Sequence, residues 1–522
     1  MITLLYTGST SACFELENDT AYTAPAPFAV YLNGERRFLC DTNVFSLFGL
    51  KPDTAYLAEI ELEGVRHALQ FRTKAETCAV DVRSFGAVGD GLHDDTAAIQ
   101  AALHFLPDGA RLYFPAGTYL TCPLALRSHI TLDFAEGAVL LGSADREKYP
   151  VLPGVVRDLN SGNEWMTGAF EGLTRPMYQS LLHGEYCEDV TITGLGTIDG
   201  NAQNSDFWTA FKSFETARPR ILFLCNCRNV TMHGVTAKNS PSWNLHPFYS
   251  ENISFYDVKV EAPKNSPNTD AIDPEACTNV NIIGCHLSVG DDCVAIKSGK
   301  IELSRQRLQA AKNHVIRNCR MAFGHGAVTL GSETACGVRD LSVTRCLFDS
   351  TDRGLRIKTR RGRGKHCDIT GIVFENIRMR NVITPFVINM WYNCCDPDRF
   401  SDYVKCRAPL PVDDRTPHLG TFTFRNIDCT DAHAAACYID GLPEAPIDQV
   451  TFERVSVRFA EDAKSFVPAM QNDAVARCRL GLYLNNVRRV CVDQVTVCGA
   501  QGGALIAQNC MQVETNGLNE ES

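Results

Sequence analysis

No stretch of this sequence reaches the roughly 18 consecutive apolar residues that a membrane-spanning helix needs, so nothing in it predicts a membrane partner. Positive charge is also short: 50 Lys and Arg stand against 61 Asp and Glu, a net charge of -11. Gripping a phosphate backbone takes a basic face, which excludes a general nucleic-acid-binding role. A few clustered Arg and Lys can still make a basic cleft for an anionic substrate. CxxC pairs are absent although there are 23 cysteines, which argues against structural zinc. The count is odd, so at least one thiol cannot pair within the chain. Most cysteines sit among apolar neighbours, as Cys285, Cys319 and Cys346 do, where a free thiol behaves as a small hydrophobe. The opening MITLLYTGSTSACFELEN has neither the basic start nor the apolar core of a signal peptide. Unpaired cysteine and the lack of an export signal together predict a reducing, cytoplasmic location.

What the sequence does contain divides in two. Residues 1–77 carry short β-prone runs at 29–32, 44–47, 56–61 and 67–72, with turn residues such as Asn33-Gly34 and Lys51-Pro52-Asp53 between them. Strands at roughly ten-residue spacing predict a small β-sandwich. The run TAYLAEIELEGVRHALQFRTKAE resembles the last strands of a fibronectin type III domain.

Residues 78–522 form the second predicted unit. From about residue 185 onward the chain repeats itself, as in CEDVTITGL, CRNVTMHGV, SENISFYDV and CTNVNIIGC. Taking Ile192, Met232, Phe255, Ile282, Ile316, Val343, Phe374, Phe424, Phe452 and Val492 as anchors, the spacings run from 23 to 50 residues. Apolar alternation with period two makes these segments strands. The shorter spacings suit one solenoid coil, so an all-β solenoid of about ten coils is expected. Matching positions of successive coils then stack about 4.8 Å apart. Leucine-rich repeats lack their LxxLxLxxN pattern here, and propeller blades of four strands do not fit the 23–28-residue intervals. The longest insertions, 145–185 and 200–220, carry Trp165, Tyr178, Phe207 and Trp208. As projecting loops they are expected to wall a cleft.

Four segments on consecutive coils stand out: Asn268-Thr269-Asp270, Gly290-Asp291-Asp292, Gly324-His325-Gly326 and Arg356-Ile357-Lys358. Aligning Ile272 with Val294 sets Asp270 level with Asp292. It leaves His325 one residue out of register and turns Arg356 and Lys358 to a shared outer face. Singly, each residue reads as a turn, a solvated imidazole or a charged edge. Three carboxylates on neighbouring coils are costly together, because like charges raise one another's pKa. Glycoside hydrolysis uses that pattern, needing one protonated and one ionised carboxyl group. The neighbouring cations suit a substrate that itself carries carboxylates.

These motifs, intact and in this order, resemble glycoside hydrolase family 28, the polygalacturonases and their relatives. FGAVGDGLHDDTAAIQAAL and PAGTYL are similar to the N-terminal cap of pectin-active β-helix proteins. The resemblance covers about residues 80–500. It implies a right-handed parallel β-helix, an inverting mechanism, and neither metal nor organic cofactor. Asp291 would be the general acid, Asp270 and Asp292 would hold and activate water, and His325 would support the acid. Arg356, Lys358 and Asn268 would bind a pectic or oligogalacturonide substrate. Ala271 stands where the family commonly has Gly.

The insertions at 145–220 and 390–420 could block one end of the groove. With the fibronectin-like unit, this favours exo action from the non-reducing end over endo action. Rhamnogalacturonan or xylogalacturonan hydrolysis is the neighbouring alternative. A calcium-dependent lyase does not need the DD, GHG and RIK set, and a non-catalytic binding solenoid does not need stacked aspartates. Oligomeric state is not predicted.

Overall fold

A computed structural model describes residues 1–211, 215–393 and 401–521. The ten apolar anchors form one unbroken row. Ile192 pairs with Met232, Met232 with Phe255, Phe255 with Ile282, and Ile282 with Ile316. The row continues through Val343, Phe374, Phe424, Phe452 and Val492. It also runs beyond the repeats read from sequence: Val80, Leu112 and Leu132 precede Ile192 in register, and Thr515 follows Val492. All these pairs are parallel, and the coils wind into a β-helix.

Alternation explains why the column closes. In Glu188–Gly194, Val190 and Ile192 are buried while Thr191 between them is half-buried. The inward positions stack on like positions, as in the Phe374–Phe424–Phe452 file with ring centroids 6.0 and 5.1 Å apart. Cys285, Cys319 and Cys346 lie in the same continuous apolar column, which serves the coils as a shared core. At one corner Asn252, Asn279 and Asn313 each donate a side-chain N–H to the Asn one coil before, at 2.9–3.1 Å. These residues have φ near +55°, a left-handed turn that Asn tolerates.

A second wall of the column positions the site. It comprises Leu182–Glu185, Leu222–Cys225, Leu245–Phe248, Val294–Ile296, Val328–Gly331, Arg353–Lys358 and their successors. Ile272 bridges Leu245 to Val294, making the wall continuous.

Residues before this column form two antiparallel sheets. Ile2–Thr7, Ser11–Leu16 and Val44–Phe48 make one; Thr23–Leu32, Glu35–Thr42, Ala55–Leu62 and Val65–Arg72 make the other. Phe14, Phe28, Phe45 and Phe71 fill the space between them. The sandwich docks on the β-helix through buried polar contacts. The carboxylate of Glu15 accepts from Arg317 at 2.8 Å and from both Arg345 and Asn318 at 2.6 Å.

The 145–185 insertion folds into an arm of three short antiparallel pairs, ending in the hairpin Ala169–Phe170 with Leu173–Thr174. The 145–185 insertion walls the cleft as expected, though not through Trp165 or Tyr178, and Phe207 and Trp208 of the 200–220 insertion do not line it either. Phe207 is buried against Tyr149 and Tyr178, at 5.6 and 5.8 Å. Trp208 donates its indole N–H to the Ser240 carbonyl at 2.9 Å. Apolar rings were better stabilised by packing the base of the arm than by lining a wet groove. The arm reaches the cleft through Phe170 and Glu171 instead.

Candidate active site

The seven residues singled out from sequence, Asn268, Asp270, Asp291, Asp292, His325, Arg356 and Lys358, line one cleft of about 260 Å³. They sit on or just before successive rungs of the second wall. Ile272 pairs with Val294, Val294 with Val328 and Val328 with Leu355. That register sets Asp270 level with Asp292. It also sets His325 level with Asp291, since each lies three residues before its paired valine. The His325 N–H donates to the Asp291 carbonyl at 3.1 Å. His325 thus stands one residue out of register with the Asp270–Asp292 level, as expected. The glycines around His325 permit this closeness. A Cβ on Gly324 would lie 2.7 Å from the Asp291 carbonyl oxygen, and one on Gly326 would lie 3.0 Å from Asp292 Oδ1.

The carboxylate oxygens of Asp270, Asp291 and Asp292 lie within 4.8 Å of one another, yet their environments differ. Asp292 is buried, and both its oxygens are held: Arg356 donates to Oδ1 at 3.0 Å and Lys358 to Oδ2 at 2.9 Å. Burial alone would raise its carboxyl, but Lys358 and then Arg356 outweigh that and hold it far below the usual range. Asp270 is also buried, and burial, Asp273 and Asp291 push it well above the usual range against the pull of Lys297. Asp291 is half-buried, with Oδ1 accepting from the Asp292 N–H at 3.0 Å. One carboxyl group of the cluster is thus driven to hold a proton and another to stay ionised.

Three carboxylates at this spacing are close enough to share a cation. For Asp292 positive charge is supplied by the chain's own guanidinium and ammonium groups.

Residues that sequence reading missed complete the cleft. Asp352 Oδ2 lies 2.8 Å from His325 Nδ1, and this bond raises the imidazole's proton affinity despite burial. Trp243, Tyr392, Glu333 and Met470 also line the space. Met470 Sδ lies 2.8 Å from an Arg356 nitrogen. Lys297 lies 3.2 Å from Asp273 and 3.7 Å from Glu333. Asn268 does not stand alone: its Oδ1 accepts from Arg218 at 2.7 Å. Lys297 was legible, since it continues the outward parity of Val294–Ile296 just as Lys358 does on its rung. Asp352 was legible too, since it lies three residues before Leu355 as His325 does before Val328; Met470 comes from a loop whose path no spacing reveals.

The sequence profile described as Glycosyl hydrolases family 28 matches residues 171–475, which include every residue of the cleft but Phe170. The chain belongs to this family. A second profile, Rhamnogalacturonase A/epimerase, pectate lyase-like, matches residues 79–141, the first rungs of the column. Among family 28 relatives, a probable polygalacturonase of Vitis vinifera is 33% identical over 394 residues, 73% of this chain and 74% of its own. An exo-poly-alpha-D-galacturonosidase of Dickeya chrysanthemi is 27% identical over 69% of this chain and 63% of its own. The family 28 exopolygalacturonase of Yersinia enterocolitica superposes with a TM-score of 0.72 at 20% identity, covering 98% of both chains. At that identity the superposition speaks for the fold. The chain is a glycoside hydrolase.

Proposed function

We propose that this family 28 enzyme hydrolyses the α-1,4 bonds of galacturonan, acting on oligogalacturonides from the non-reducing end with inversion. The observation that carries the reading is the gathering of Asp270, Asp291 and Asp292 beside Arg356 and Lys358 in one cleft. Asp291, the least enclosed of the three, protonates the departing glycosidic oxygen. Water held between Asp270 and Asp292 attacks the anomeric carbon and gives up its proton to that pair. His325, fixed by Asp352, sits beside the acid. Arg356 and Lys358 offer their remaining N–H donors to a galacturonate carboxylate, with Asn268 at the rim. Curated relatives named for polygalacturonase activity support the substrate.

Exo action is supported by what lines the cleft besides the rungs: Phe170 and Glu171 from the arm, with Tyr392 and Met470. Residues 394–400 of the 390–420 loop lie outside the described residues. Endo action is the second reading, because an endo-polygalacturonase of Pectobacterium carotovorum is a relative at 28% identity. Inversion rests on the family resemblance. The anomer first released is a direct test. The fibronectin type III kinship of the two-sheet unit and a cytoplasmic location belong to the same proposal.

Defined oligogalacturonides incubated with the enzyme, with products resolved over time, test substrate and mode together. Mono- or digalacturonate from the first minute is expected. A ladder of intermediate lengths overturns exo action, and unsaturated products absorbing near 235 nm overturn hydrolysis.

A further inference from the structure

Beneath the three aspartates lies a second layer of charge that the chemistry above does not use. Lys297 follows Val294–Ile296 on the outward face, bridged to Glu275 on one side. On the next rung, between Lys297 and Lys358, stands Gly331. The Lys297 ammonium lies 3.7 Å from Glu333 Oε2, 3.2 Å from Asp273 Oδ1 and 3.9 Å from Asp270 Oδ2. The lysine side chain is 4% exposed, and its ammonium lies 4.5 Å from the centre of the Trp243 ring. A cation so enclosed is held by its partners, and in turn sets their charge.

We propose that Lys297 is a positioning residue, a buried ammonium shared by Asp270, Asp273 and Glu333 that keeps Asp270 able to carry negative charge next to Asp291 and Asp292. This rests on the reading of Asp270 as a group that takes a proton from water. Asp270 faces charge from every packed segment: Asp273 and Glu275 on its own, Asp291 and Asp292 on the next, then Glu333. Arg356 and Lys358 follow on the rung beyond, with His325 above, Lys300 beside Glu333, and Arg218, Arg220 and His246 from the earlier coils. Arg356 and Lys358 are committed to Asp292. Arg218 is committed to Asn268 and to the Pro241 and Pro267 carbonyls. Lys297 is the cation within 4 Å of Asp270 among the described ion pairs. The surroundings agree: burial raises Asp273 to about 7 and Glu275 to about 8, with Lys297 opposing in both. Against burial, Lys297 and then Lys358 bring Glu333 down to about 2.

The test is the pH dependence of kcat/KM on trigalacturonate for wild type, Lys297→Met, Lys297→Arg and the double variant Lys297→Met/Glu333→Gln. Losing the ammonium raises the pKa of Asp270, so the ascending acidic limb should move up by about 1–3 pH units in Lys297→Met. Lys297→Arg should keep the limb. The double variant deletes the Lys297–Glu333 pair as a neutral swap and should still show the shift. An unmoved limb in folded Lys297→Met, or a limb restored in the double variant, overturns the proposal in favour of a purely structural lysine. So does failure of both variants to fold. If wild type itself releases no reducing ends, the substrate reading is what has failed. The linkage is then read without substrate: Lys297→Met should lower Tm more at pH 7 than at pH 4, and Asp270→Asn should shrink that difference. Equal loss at both pH values overturns the proposal by this second route.

Discussion

Lys358 Nζ lies 2.9 Å from Asp292 Oδ2 while Arg356 donates to the other oxygen of the same carboxylate at 3.0 Å. The two cations that sequence reading assigned to the substrate are therefore also partners of a site carboxylate. Bidentate capture by two different residues fixes the carboxylate plane and keeps it ionised. A residue that both grips substrate and sets the charge of a reacting group cannot be removed at the cost of affinity alone.

Lys358→Ala should accordingly lower kcat and raise KM, by about tenfold or more in each. It should also raise the acidic limb of the rate profile, because the Asp292 carboxyl recovers toward its ordinary value. Steady-state kinetics on trigalacturonate between pH 3 and pH 7 read both effects. A change confined to KM would mean that the ammonium meets only the substrate.

Asp291→Asn should remove about 10²–10⁴-fold of kcat and leave Tm within a few degrees of wild type. Asp291 is half-buried and accepts one local N–H bond, which an amide oxygen can also accept. Retention of more than about a tenth of wild-type turnover on an unactivated oligogalacturonide would sink its assignment as the acid. Asp270→Asn and Asp292→Asn should be severe as well, and non-additive, since the proposed mechanism gives them one task.

The imidazole of His325 owes its raised proton affinity first to Asp352 at 2.8 Å. Asp352→Asn removes that support, so His325 should lose its proton at a lower pH. The descending alkaline limb of kcat/KM moves down with it. Stability follows the same sign: the bond's contribution is present below the unfolded histidine's value and fades as pH rises through the folded one. The difference in Tm between wild type and Asp352→Asn should therefore shrink from pH 5.5 to pH 8.5. An alkaline limb that stays in place separates His325 from the proton path.

Much of this was readable in the residues. Ile192, Met232, Phe255 and their successors were spaced irregularly, yet apolar alternation within each segment set every one in a single row. The first rungs, around Val80, Leu112 and Leu132, escaped because the capping helix Thr96–Phe105 interrupts the repeat between them. In the site, parity along the rungs brought the carboxylates, His325 and both cations together. The ionic states were not readable, since they depend on Asp273, Lys297 and Arg356 meeting across coils. Nor was closure of the cleft by Met470, which is anchored by its carbonyl to Asn389 at 2.8 Å. Chain entering from a distant loop leaves no periodic trace.

The cysteines give the last expectation. Of the 21 that are described, all are free thiols and most are buried, many in the column where the space between coils suits a small apolar group. Burial pushes many of the enclosed thiols up, Cys277 to about 12 and Cys336 to about 11, which disfavours nucleophilic thiolate at those positions, whereas hydrogen bonding with neighbouring cysteines lowers Cys187 and Cys319. The half-buried ones, Cys40, Cys78, Cys122, Cys406, Cys478, Cys491 and Cys510, are the described thiols that a reagent can reach first. Titration of protein kept free of reductant should find a handful of reactive thiols in the native state and close to the full 23 in denaturant. The native rate should rise steeply only as unfolding begins, because the core thiols are released with the coils that enclose them. A chain stabilised by stacked apolar rungs does not need covalent crosslinks, which fits the proposed reducing compartment. A large deficit of thiols in denaturant, recovered on reduction, would contradict both the cysteine reading and that location.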